Sequence, residues 1–110
     1  MWEAGQALYD IPQHRYDSRV LPIGSDLPEA GGVYLFAHWY PWDPQIIYIG
    51  MTDNFRRELY FELERLPCLA QLRAMGATDV MVLKIVDPAE RRHVFDGLRM
   101  HYDPMLNRAA

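Results

Sequence analysis

Between positions 31 and 50 the chain reads GGVYLFAHWYPWDPQIIYIG, two short apolar runs separated by a stretch of Trp, Pro and Asp. Runs of this length, rich in β-branched and aromatic residues and bounded by Gly and Pro, predict two strands. The connection is short enough for an antiparallel hairpin. Because strand side chains alternate, Tyr34 shares a face with Phe36, and Tyr48 shares one with Gly50. Gly32 stands two positions before the first tyrosine and Gly50 two positions after the second. Glycines so placed let another backbone, or a phosphate, approach closely.

The pattern changes period after Gly50. Residues 51–54, Met-Thr-Asp-Asn, supply helix caps, and Phe55, Leu59, Leu63 and Leu66 then recur at helical spacing until Pro67. A second helix is predicted over 68–75, ending at Gly76 in a left-handed C′ conformation. Positions 78–86, TDVMVLKIV, read as a central third strand. Asp87, Pro88 and Glu90 supply an N-cap, a proline at N1 and an acid at N3. Val94, Phe95, Leu98 and Tyr102 form the apolar stripe that follows, facing the sheet, and Asp103-Pro104 closes the helix. Residues 1–30 show neither period. They predict an irregular extension, with a short strand at 19–23, packed on a domain spanning 31–107. The expected fold is α/β, a small three-stranded antiparallel central sheet flanked by helices.

Composition narrows the classes. The chain has 110 residues, enough for one core, and no apolar run reaches the roughly 18 residues needed to cross a bilayer. No basic and apolar leader opens it, and a single cysteine, Cys68, excludes an internal disulfide framework. A cytoplasmic protein with no membrane partner is expected. Cys68 stands between Leu66 and Leu69 and reads as a small buried side chain. His14 reads as an ordinary surface or capping histidine. With 11 basic against 15 acidic residues the net charge is −4, which weighs against broad contact with a nucleic-acid backbone.

Gly32-Val33-Tyr34 followed by Tyr48-Ile49-Gly50 resembles the paired motifs of the GIY-YIG nuclease domain family, and residues 104–107, Pro-Met-Leu-Asn, resemble its closing element. The resemblance implies phosphodiester hydrolysis on a three-stranded sheet. Two tyrosines flank the scissile phosphate, an arginine on the first helix stabilises developing charge, a glutamate on the last helix holds one divalent cation, and a terminal asparagine orients the site. Carried over, it assigns catalytic positions to Tyr34, Tyr48 and Asn107. The arginine is expected eight positions past Gly50, where Glu58 stands, and the metal-binding glutamate nine before Pro104, where Phe95 stands. Arg57, beside Glu58, is the nearest basic candidate, although about 100° of helical rotation turns it from that direction.

These substitutions act together. A phenyl ring offers a cation no lone pair, and a carboxylate in the arginine's place repels phosphate. The resemblance therefore implies a nuclease-family domain with a degenerate site, serving as a nucleic-acid- or protein-binding module and needing no cofactor. The alternative is an active endonuclease with a rearranged site using Mg or Mn. Asp96, or Glu58 with Glu62 at i, i+4, would then hold the cation; otherwise the glutamates form a solvated face. The tyrosines read equally as core residues with satisfied hydroxyls, and Asn107 as a hydrogen-bonding stop. Trp39 and Trp42 either fold back over the sheet edge or anchor a protein partner. Arg91, Arg92 and Arg99 lie on the outer side of the last helix, a solvated face or a DNA contact.

Overall fold

The computed structural model describes residues 16–39, 45–59, 69–104 and 106–107. In chain order the elements are β1 (Ser18–Pro22), β2 (Gly32–His38), β3 (Gln45–Thr52), α1 (Phe55–Glu58), α2 (Leu69–Ala74), β4 (Asp79–Lys84) and α3 (Pro88–Tyr102). The strands form one antiparallel sheet in the order β1-β4-β2-β3. No helix among the described residues is long and apolar enough to cross a membrane.

Among the described residues the sheet has four strands rather than the expected three. The added strand comes from the supposed extension, one residue earlier than its predicted position, and runs antiparallel to β4 with Ser18 opposite Leu83 and Pro22 opposite Asp79. A strand edge carries a row of N–H and C=O groups that need partners, and β1 supplies them to β4. Tyr16 and Val20 pack on one side of the sheet, and Leu21 and Ile23 on the other. Residues 18–22 are thus part of the sheet, with Val20 and Leu21 packed against the core on either side.

Two apolar layers flank the sheet. Val33, Leu35, Ile49, Met81, Leu83 and Ile85 face α3, which contributes Leu98 with Val94, Phe95 and Tyr102. Tyr34, Phe36, Ile47, Val80 and Val82 face the other way, against Phe55 and Leu59, Leu69 and Leu72, Leu27 and Leu106. The β2 and β3 pairing shifts between Phe36 and Ala37, where Tyr48 lies opposite Phe36 but Ile46 lies opposite Ala37. The extra residue, Ile47, breaks the alternation. Ile47 and Tyr48 therefore pack on the same layer, and Ile46 on the other.

Local chemistry accounts for the helix boundaries. Asn54 caps α1 by accepting from the Arg57 N–H at 3.0 Å. The continuation predicted through Leu66, together with Cys68, lies outside the described residues, as does His14. Gly76 after α2 has φ +94°, the left-handed conformation predicted for it. Asp87 caps α3 by accepting from the Glu90 N–H at 2.8 Å, and Pro88 occupies the first turn. Asp103 ends the helix at φ 45°.

One arginine departs from its predicted place. Arg91 is half-buried, not on the outer side of α3. Its Nε donates to the Ile85 carbonyl at 3.1 Å and its Nη2 to the Val86 carbonyl at 3.0 Å. The chain entering α3 leaves these carbonyls outside the β4 ladder, and the first helical turn sets Arg91 beside them.

Candidate functional site

Tyr34 lies at the middle of the sheet and is only 4% exposed. Gly50, its partner across β2 and β3, makes room for it. A Cβ at Gly50 would stand 2.3 Å from both Cζ and the hydroxyl oxygen of Tyr34. Gly32 answers a different constraint: a Cβ there would stand 1.8 Å from the Leu83 carbonyl oxygen and 2.8 Å from the Phe55 ring. The close approach expected at both glycines is real, and it comes from the chain's own ring and backbone.

The Tyr34 ring meets Phe36 edge-on at 5.7 Å and lies 6.3 Å from the tilted ring of Tyr48, which is half-buried. From this buried position the Tyr34 hydroxyl donates to Glu58 Oε2 at 2.9 Å. Glu58 belongs to α1, and its carboxylate reaches the tyrosine face from the solvent side. Sequence reasoning placed Glu58 near this site but missed the bond. A polar residue one turn into the helix after β3 was the only available signal.

Asn107 completes the same edge. Its Oδ1 accepts from the Ile49 N–H at 2.8 Å, and its Nδ2 donates to the Ile49 carbonyl at 2.7 Å. The side-chain amide therefore pairs with β3 as a neighbouring strand would, on the residue between Tyr48 and Gly50. Asn107 thus joins the tyrosines through the backbone rather than by presenting a free amide.

The other candidates are dispersed. Arg57 pairs with Asp53, its neighbour at i, i+4. Arg56 donates to the Leu27 carbonyl at 2.8 Å and pairs with Asp26 and Glu29 at 3.2 and 3.5 Å. Phe95 lies across the sheet from Tyr34, half-buried in the α3 layer, with the guanidinium carbons of Arg92 and Arg99 each 5.8 Å from its ring centroid. Asp96 pairs with Arg92 at 3.2 Å on the exposed side of α3. Trp39 packs on the same layer as Phe95, and its backbone N–H donates to Thr78 Oγ1 at 3.1 Å. Trp42 and Glu62 lie outside the described residues.

Among the described residues no group of three or more His, Cys, Asp or Glu is placed to hold a metal ion. At the tyrosines, Glu58 brings a carboxylate. The arrangement is instead a fixed phenol-to-carboxylate hydrogen bond beside a second aromatic ring, which presents negative charge. Compared with protein-family models, curated proteins and solved structures, the chain matches none.

Proposed function

We propose that this chain is a GIY-YIG-like domain whose site has lost nuclease chemistry and serves as a binding module. The hydrogen bond from Tyr34 to Glu58 carries the reading: an anion is anchored where the family's mechanism needs a cation. Hydrolysis of a phosphodiester builds negative charge on phosphate oxygens, so a carboxylate at that position raises the barrier instead of lowering it. The candidate replacement, Arg57, is engaged by Asp53.

The test is incubation of the purified protein with Mg²⁺ or Mn²⁺ and single-stranded, duplex or branched DNA. No cleavage is expected with any of them. Cleavage that vanishes in Tyr48→Phe but survives in Arg92→Ala would establish an active nuclease with a rebuilt site and overturn the reading. If the module bound nucleic acid through phosphates, affinity would fall steeply with salt. The net charge of −4 favours a protein partner.

A further inference from the structure

We infer that the outer face of α3 docks on the same face of a second copy of this chain, with the two helices antiparallel. The face lies across the sheet from the tyrosines, so the inference does not depend on the reading of that site. Two features of the helix have no use inside one domain. Met100 is 82% exposed, the most open of the large apolar side chains described. Gly97 stands in the helix interior, where glycine weakens a helix, yet a Cβ there would meet nothing within 4 Å. No group of the domain asks for a glycine at this position; a group arriving from outside does.

Gly97 and Met100 are three positions apart and so are neighbours on one flank of α3. Beside them runs a row of charges, Arg92, Asp96, Arg99 and Asp103, spaced by four, three and four so that all share one side of the helix. A two-fold axis perpendicular to two antiparallel helices sets each flank against its own copy with the sequence reversed. Turned in this way about the peptide between Gly97 and Leu98, the row meets itself base to acid, Arg92 opposite Asp103 and Asp96 opposite Arg99. Set parallel and in register, the same row would place like charges together. The Arg92 and Arg99 guanidinium carbons each lie 5.8 Å from the Phe95 ring centroid, which keeps both groups along this row. Arg92 pairs with Asp96 in its own helix, whereas among the described residues no carboxylate pairs with Arg99. In the same arrangement Met100 stands about 3 Å along the axis from Gly97 of the second copy, two residues of helical rise. Helical side chains lean toward their own N-terminus, which carries the methionine toward that glycine. Its unbranched, adaptable chain suits such a notch.

The test is sedimentation equilibrium of the full chain with reductant present, so that Cys68 forms no cross-link. One helix face is a small contact, so loading from about 5 to about 500 µM is needed, and a dissociation constant of about 100 µM is expected. Asp96→Arg and Arg99→Asp should each weaken the dimer at least tenfold, because each sets like charges together. An equimolar mixture of these two variants should associate at least as well as the wild type, since every facing pair is then opposite in sign. Gly97→Leu fills the notch and should weaken association at least fivefold while raising the unfolding midpoint of the dilute chain, leucine being the better helix former. A weaker dimer with a higher midpoint is not a folding defect. Met100→Gln keeps the length, removes the apolar end and should weaken association about threefold. A wild type that stays monomeric at the highest loading, a dimer unchanged by Gly97→Leu or by either charge variant, or a mixture no more dimeric than its components would each overturn the inference.

Discussion

Gly50 lies beneath the phenol of Tyr34, so close that a Cβ on the glycine would stand 2.3 Å from the ring carbon bearing the hydroxyl. The ring cannot easily give way, since it is 4% exposed and rests edge-on against Phe36. Gly50→Ala is therefore expected to destabilise the fold by about 1 to 3 kcal/mol, the usual range for overpacking a filled core. Urea unfolding will show a lower midpoint at unchanged slope. Wild-type stability in this variant would mean that Tyr34 does not occupy the space above the glycine.

Tyr34→Phe tests the hydroxyl apart from the ring. The packing against Gly50 and Phe36 is kept, and the bond to a carboxylate that water can reach is lost. The expected cost is about 1 kcal/mol, smaller than that of Gly50→Ala. Chemical unfolding of the two variants side by side checks the order.

Asn107 holds the β3 edge through both polar atoms of Ile49, a residue with no exposed surface. Asn107→Ala removes both bonds and should cost about 1 to 3 kcal/mol. Asn107→Asp should not rescue it. Its carboxylate can still accept from the Ile49 N–H, but the second oxygen then faces the Ile49 carbonyl with no proton between them. Amide exchange at Ile49 should accelerate in both variants, and unchanged protection there would refute the pairing.

Phe95→Glu, alone or with Glu58→Arg, should create no Mg²⁺ or Mn²⁺ site with the tyrosines, because the sheet lies between them and position 95. It should instead lower stability by about 1 to 2 kcal/mol, as a half-buried carboxylate replaces a packed ring, with Arg92 and Arg99 offsetting part of the loss. Calorimetric metal titration and thermal unfolding separate the outcomes. Metal binding gained in the double variant would place Phe95 and Glu58 in one cleft.

Much of the fold was legible because it depends on neighbours in sequence. The hairpin strands announced themselves by β-branched and aromatic runs between Gly and Pro. The start of α3 lay in Asp87, Pro88 and Glu90, whose capping roles act within one turn. The left-handed Gly76 followed from the same local logic. The site was legible only as a set of positions. That Glu58 bonds Tyr34 across 24 residues, or that Asn107 bonds Ile49 across 58, has no local signature. The bulge at Ile47 was equally hidden, since one extra residue between paired strands leaves both sequences looking regular.

What the sequence determined by itself, then, is which segments are strands and helices, where α3 begins and where Gly76 turns the chain, since short-range torsion preferences and capping bonds decide these. Only tertiary structure decided that residues 18–22 join β4, that Phe95 and Tyr34 fall on opposite sides of the sheet, and that an anion is tied to the first tyrosine. Those outcomes depend on which edges find partners and which side of each strand meets which helix. Such choices are settled by burial and hydrogen-bond satisfaction across the whole chain.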